Sequence, residues 1–251
     1  LQKWHGAGND FLIDVQQPGY AEWWTPSRVR AICHRTTGVG ADGLLVAALE
    51  SPVAMSLFNA DGSIAEMSGN GIRCLAAAVR RFTSATFDEL DVATGAGLRT
   101  VTLEMSSSST GYGGVSMGDV REGDALDGTL GVANVGNPHV VVLDDVQWSD
   151  ATREEMAEKL AAQIGGANVE FLRVLGEDRL AIRVIERGVG WTMACGTGSC
   201  AVAAVARSAG LSGDDVTIEN PGGVLRVELR GSHATLRGPV QFVADVEWLA
   251  V

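Results

Sequence analysis

Met193-Ala-Cys-Gly-Thr-Gly-Ser-Cys200 is the stretch whose reading decides the fold. It sets a cysteine at the mouth of a helix. Gly196 and Gly198 allow a tight turn and leave backbone N–H groups open. Cys200 through Ser208 then run apolar and alanine-rich, as a buried helix does. A helix N-terminus attracts anions through its free N–H groups and its dipole. The same field stabilises a thiolate, so Cys195 is a candidate low-pKa thiol. Alone, the stretch reads more simply as a small buried cysteine.

The chain contains this pattern twice. Met67-Ser68-Gly69-Asn70-Gly71 precedes a second alanine-rich stretch through Arg81, and Ser68 stands 127 residues before Cys195. Gly8-Asn9-Asp10-Phe11-Leu12-Ile13 matches Gly136-Asn137-Pro138-His139-Val140-Val141 at an offset of 128. Gly40-Ala41-Asp42 matches Gly166-Ala167-Asn168 at 126, and Phe58-Asn59 matches Ile185-Glu186 at 127. Ordered matches at nearly one offset predict two copies of one domain. Facing copies would point two helix mouths at one cleft.

Length and composition set the outer limits. A chain of 251 residues with 46% apolar content can build two small cores. A formal charge of −12 argues against nucleic-acid or anionic-membrane partners, which need a basic footprint. There is no apolar run of the roughly 18 residues a membrane helix requires. The first residues lack a signal-peptide pattern, and the absence of an initiator Met suggests a trimmed numbering. Cys33, Cys74, Cys195 and Cys200 are too scattered for a disulfide scaffold or a metal-ligand spacing, so we expect reduced thiols, a cytoplasmic setting and no metal. The two lysines, Lys3 and Lys159, offer no pocketed amine for pyridoxal phosphate, and no dinucleotide fingerprint follows a strand. No cofactor is expected.

Along the chain, Lys3 to Asp10 reads as a glycine-broken loop ahead of a strand at Phe11–Val15, and Tyr20 to Trp24 as a loop. Thr25-Pro26-Ser27 starts a helix to about His34, with Thr25 as cap. Strands are predicted at 43–48, 54–59, 90–94, 98–105, 140–143, 168–175, 179–186, 216–219, 223–229 and 234–236, with a helix over 152–163. The small polar run through Ser106–Gly114 marks the boundary between domains 1–112 and 113–240. A last strand pair over 239–248 could return to the first domain, which would then take in 241–251. The expected class is α+β, two pseudo-symmetric domains, each a central helix wrapped in strands.

Asn9 with Asn137, Asn59 with Glu186, Asp42 with Asn168, and Ser68 with Cys195 form a paired polar set suited to a small zwitterion. Glu186-Arg187 adds one charge of each sign, although adjacent charges are more often a solvated pair. His139 reads best as a satisfied core histidine.

At these positions the chain resembles the diaminopimelate epimerases, within the cofactor-independent amino-acid racemases. The motifs are Lys3-Trp-His-Gly-Ala-Gly-Asn-Asp-Phe11, Gly38-Val-Gly-Ala-Asp-Gly-Leu44, Asn59-Ala-Asp-Gly-Ser63, Gly69-Asn-Gly-Ile-Arg-Cys74, Gly136-Asn-Pro-His139, Asn168-Val-Glu-Phe171, Glu186-Arg-Gly-Val-Gly190 and Ala194-Cys-Gly-Thr-Gly198. They span nearly the whole chain in family order. The resemblance implies an active site between the two domains. It also implies interconversion of LL- and meso-diaminopimelate for lysine and cell-wall synthesis, with a homodimer left open. Two family cysteines work on opposite sides of the substrate α-carbon; here their positions hold Ser68 and Cys195. Backbone N–H groups at Gly69-Asn70 and Gly196-Thr197 would hold the α-carboxylate. Asn9, Asn59, Asn137, Asn168, Glu186 and Arg187 match substrate-binding positions, with Arg187 suited to the distal carboxylate.

Three residues depart from the family pattern: Ser68 for a catalytic cysteine, Trp191 for Glu and Trp4 for Met. Trp4 reads as a packing change, whereas Trp191 could alter substrate shape or loop closure. Ser68 reads equally as an engineered or a natural residue. It leaves three readings: an epimerase crippled at one base, a racemase or one-sided proton-abstracting or eliminating enzyme for another amino acid, and a non-catalytic amino-acid-binding remnant.

Overall fold

The duplication is visible as a repeated order of elements. The structure, a computed structural model, describes residues 1–16, 23–146 and 148–249. The chain divides into two compact units, Leu1–Val115 with Gly238–Val251, and Ser116–Arg237.

In the first unit β1 (Gln2–Gly6) and β2 (Asn9–Gln16) form an antiparallel hairpin. The loop predicted over Lys3–Asp10 is therefore a strand pair whose turn is confined to Ala7 and Gly8, both left-handed at φ 52° and 82°. Such a turn matches the twist of its strands. Fully buried Trp4 lies edge-on to Phe242, with ring centroids 5.3 Å apart, and gives β1 an inner face. Helix α1 (Pro26–Cys33) starts as predicted, with Thr25 as cap and Pro26 in the first turn. The loop expected over Tyr20–Trp24 lies outside the described residues as far as residue 22. After α1 comes β3 (Gly43–Ala48), parallel to β2. Then β4 (Val53–Asn59) runs antiparallel to β3, and β5 (Ile64–Ala65) folds back on β4. Helix α2 (Gly69–Thr83) follows, then β6 (Glu89–Thr94), parallel to β4, and its hairpin partner β7 (Gly97–Met105).

The chain enters the second unit along β8 (Thr110–Asp119), followed by the short β9 (Arg121–Gly123). The predicted polar breakpoint is thus largely strand. Only Ser106–Ser109 make the turn, while a Cβ on Gly111 or Gly113 would crowd Met105 or Arg73. These glycines serve close approach rather than a flexible link.

The second unit repeats the scheme. β10 (Gly131–Asn134) and β11 (Pro138–Leu143) form a hairpin, α3 (Asp150–Gln163) crosses over, and β12 (Asn168–Gly176) runs parallel to β11. β13 (Arg179–Glu186) is antiparallel to β12, and the unforeseen β14 (Gly190–Thr192) folds back on it. Helix α4 (Gly196–Ser208) follows, then β15 (Asp215–Asn220), parallel to β13, and its partner β16 (Gly223–Arg230). The two segments expected at 234–236 and 239–248 are one strand, β17 (His233–Asp245). Pro239 falls between the stretch of β17 that pairs with β16, up to Arg237, and the stretch that pairs with β1, from Gln241.

Each unit is α+β, with its central helix buried among strands. α2 packs against β1, β2, β3 and β7; α4 packs against β10, β11, β12 and β16. Ala76–Ala78 and Ala201, Ala203, Ala204 and Ala206 are all buried. Their small side chains let the strands approach closely, so the N-terminal end of each helix is set by packing on several sides.

Candidate active site

Both helix mouths carry the same capping geometry. Cys195 caps α4 at φ −120° and ψ 116°, and the Gly198 N–H donates to its Sγ at 3.3 Å. Ser68 caps α2 at φ −136° and ψ 122°, and the Gly71 N–H donates to its Oγ at 3.0 Å. Gly69-Asn70 and Gly196-Thr197 form the first turn of their helices, where backbone N–H groups have no intrahelical partner.

The electrostatics of Cys195 correct the low-pKa expectation. Burial pushes the thiol well above its usual range, and the carboxylates of Glu186 and Glu170 push the same way. The Thr197 hydroxyl, 3.4 Å away, and the Gly198 N–H pull downward and lose. Cys195 therefore rests as a thiol. Burial also pushes Cys33 and Cys74 up, each to about 12.

Strand pairing gathers most of the second unit's predicted residues. His139 and Asn168 are opposite each other on β11 and β12, and Val169 faces Ile185, next to Glu186. The Asn168 side-chain oxygen Oδ1 accepts from the Arg187 backbone N–H at 2.9 Å. Glu186 accepts from the Thr192 hydroxyl at 2.6 Å, so it is held in place rather than loosely solvated. The Arg187 guanidinium has no ion-pair partner among the described residues and stays exposed. Asn137 Oδ1 lies 3.0 Å from His139 Nε2, and His139 Nδ1 lies 2.7 Å from Glu170 Oε1.

In the first unit a polar chain runs to the α2 mouth. The Asn9 amide donates to Asp42 at 2.8 Å, Asn70 donates to Asn9 at 3.3 Å, and Arg73 donates to Asn70 at 2.8 Å. Asp42 also takes Arg35 at 2.6 Å, so its carboxylate is spent on the loop. Asn59 ends β4 exposed and donates to Ser63 Oγ at 2.9 Å; no bond joins it to Asn9 or Ser68 among the described residues. No group of three or more His, Cys, Asp or Glu side chains could hold a metal ion among the described residues.

Trp191 pairs with Ile185, and both pack against the core under α3. Its indole N–H donates to Glu154 at 2.7 Å, and Arg183 covers the ring at 4.1 Å. Side chains alternate along a strand, so Trp191 lies on the opposite face from Thr192, which holds Glu186. It anchors β14 to α3, and the expected effect on substrate shape has no support in this placement. Three residues escaped the sequence reading: Thr192, Arg73 and Glu170. The last two left a signal, a charge inside an otherwise apolar helix or strand.

The sequence pattern described as diaminopimelate epimerase matches residues 1–122 and 131–243. The diaminopimelate epimerase of Synechococcus elongatus is 36% identical over 94% of this chain and 93% of its own. Among solved structures, a hydroxyproline epimerase from Agrobacterium vitis with bound trans-4-hydroxy-L-proline superposes with TM-score 0.70 at 15% identity, covering 97% of this chain and 88% of its own. A phenazine biosynthesis protein from Bacillus anthracis gives TM-score 0.73 at 15% identity, over 99% and 98%. At such identities these two likenesses speak for the fold. Repeated units, matched helix mouths and full-length sequence similarity converge, and the chain belongs to the diaminopimelate epimerase family of amino-acid-epimerising isomerases.

Proposed function

We propose that this chain acts on diaminopimelate, interconverting its LL and meso forms, with Cys195 as the competent proton-transfer group and Ser68 as a crippled one. The observation that carries this reading is the identical capping of two helix mouths by unlike side chains. The N–H groups at Gly69-Asn70 and Gly196-Thr197 suit an α-carboxylate and the charge that grows on it as the α-proton leaves. Arg187, exposed and without an ion-pair partner among the described residues, suits the distal carboxylate.

Cys195 as a thiol is set to give a proton to an α-carbanion. To take one, it must first lose its own. A substrate ammonium group beside Glu186 would offset one of the charges that hold the thiol up. Ser68 lacks this option, because an aliphatic hydroxyl ionises far less readily than a thiol near pKa ~8.5. Its Oγ already accepts from Gly71. The same asymmetry favours a second outcome, proton exchange on one face only.

The test is α-proton exchange in deuterated water, started separately from the LL and meso isomers. We expect exchange from one isomer, slow epimerisation, and loss of both in Cys195→Ala. Full-speed epimerisation that Ser68→Cys leaves unchanged would overturn the assignment of the two positions. Tighter calorimetric binding of histidine or diaminobutyrate than of diaminopimelate would overturn the substrate.

A further inference from the structure

His139 and Glu170 are both fully buried on neighbouring strands of the second unit, and neither has a settled role in the proposed reaction. We propose that Glu170 is a positioning residue: it holds the proton on Nδ1 of His139, and the ring's other nitrogen thereby decides which end of the Asn137 amide is left for substrate.

Glu170 has little freedom to do otherwise. Its Oε1 lies 2.7 Å from His139 Nδ1, while Oε2 is buried with no hydrogen-bond partner. A carboxylate only accepts, and a buried one with a single partner holds that partner's proton strongly. From the other side α4 pins it. A Cβ on Gly198 would stand 2.5 Å from Oε1, so the carboxylate fills the space left by that glycine's bare Cα. The Gly198 N–H in turn donates to Cys195. The carboxylate is thus wedged between the ring and the helix mouth.

The far side of the ring carries the consequence. Nε2 lies 3.0 Å from Asn137 Oδ1. With an acceptor facing each nitrogen, both ring nitrogens are placed to donate, Nδ1 to Glu170 and Nε2 to the Asn137 oxygen. In this arrangement the Asn137 oxygen faces the ring and the NH2 end is left over, a donor suited to a carboxylate. If Nε2 lost its proton, the amide would have to rotate and leave its oxygen, an acceptor suited to an ammonium. Glu170 therefore selects the polarity of a ligand group that it does not touch. The Asn137 step rests on the proposed function; the His139 step does not.

The ring is read without substrate, by long-range 15N–1H NMR at neutral pH, with the His139 signals assigned by their loss in His139→Gln. We expect Nδ1 protonated in the wild type. In Glu170→Gln, which no longer offers a charged acceptor, we expect a growing share of rings that keep Nδ1–H against the Gln oxygen and leave Nε2 bare. Diaminopimelate affinity should fall about fivefold in Glu170→Gln, the scale of one hydrogen bond, and this loss should vanish in an Asn137→Ala background. A bare Nδ1 in the wild type, with Glu170 donating as an acid, would overturn the proposal. So would a ring unchanged in Glu170→Gln, or an affinity loss that persists without the Asn137 amide. If Glu170→Gln fails to fold, the wild-type spectrum alone decides. A protein that ignores diaminopimelate yet shows the protonated Nδ1 would break the substrate assignment and leave the Glu170–His139 coupling standing.

Discussion

The mouths of α2 and α4 share a fold, a cap geometry and a bond from the third helical residue, yet they are chemically unlike. At α4 the cap is a thiol, and a carboxylate crowds the glycine that supports it. At α2 the cap is a hydroxyl, and the atoms nearest to where a Cβ on Gly71 would stand belong to Ser68 and to the alkyl end of Leu45, 3.1–3.2 Å away. Backbone alone therefore builds the same open helix end twice, while the side chains beside it make the two ends chemically different. The largest effect should come from making the mouths alike. Ser68→Cys should speed epimerisation by about 10²- to 10⁴-fold, the usual worth of a positioned acid or base, as read by racemisation of a single isomer. A gain below tenfold would mean that the mouths differ in more than their caps.

Charge is the next difference. Cys195 is raised above its ordinary value, so its thiolate fraction at neutral pH is small and grows with pH. Between pH 7 and pH 9 its alkylation should accelerate about 100-fold, tenfold per unit, because the titration midpoint lies above that window. Peptide mapping of iodoacetamide labelling gives the slope. Glu186→Gln removes one of the charges that raise the thiol and should speed labelling at pH 7. The thiol introduced by Ser68→Cys sits beside Leu45 rather than Glu170 and should label faster than Cys195. Equal rates would show that burial alone, and not the carboxylates, sets the thiol.

This charge was the part of the site that the sequence hid. The dipole of α4 is legible in Ala194-Cys-Gly-Thr-Gly198, because a cap is local. Glu170 and Glu186 reach Cys195 only through the pairing of β12 with β13, which local patterning does not give. Thr25-Pro26 was legible for the same local reason, and the repeat was legible because it preserves spacing. Hidden features depended on partners: a hairpin at Ala7-Gly8 needs β1 to find β2, and Pro239 lies inside a single strand where one partner, β16, gives way to another, β1. Asn9, Asn137 and Asn168 read as ligand groups from the repeat and the family resemblance, and Asn70 only through its backbone N–H. The structure adds that each already holds a neighbour.

Crowding gives a third test. Gly198→Ala would drive a methyl group to 2.5 Å from Glu170 Oε1, an atom held by His139. It should cost about 1–3 kcal/mol in urea denaturation, as overpacking does. Gly71→Ala meets the movable end of Leu45 at 3.2 Å and gains helix propensity of up to about 1 kcal/mol, so it should stay within about 1 kcal/mol of wild type. Trimming Glu170 to Ala should recover part of the Gly198→Ala loss and none of any Gly71→Ala loss. Equal costs at the two glycines would remove Glu170 as the cause.

The smallest expected difference lies in the strands that lead into the mouths. Ile64 on β5 and Trp191 on β14 occupy equivalent places, opposite Phe58 and Ile185. Ile64 is 78% exposed, whereas Trp191 is bonded to Glu154 and covered by Arg183. Trp191→Phe keeps a ring against Phe171 and loses only the indole N–H. It should cost about 1 kcal/mol, one hydrogen bond at a partly solvated site. Ile64→Ala removes a side chain that is already in water and should stay within about 0.5 kcal/mol of wild type. Glu154→Gln separates charge from shape, because its amide oxygen can still accept from the indole; it should cost less than Trp191→Phe. Trp191 also stands four residues before Cys195, on a strand one residue from Thr192, the donor to Glu186. A looser β14 should therefore weaken the hold on Glu186 and slightly raise Cys195 labelling at pH 7, while Ile64→Ala leaves it unchanged. If Trp191→Phe is as silent as Ile64→Ala in both stability and labelling, the anchor to α3 is incidental, and the difference between the mouths is confined to their caps and to Glu170.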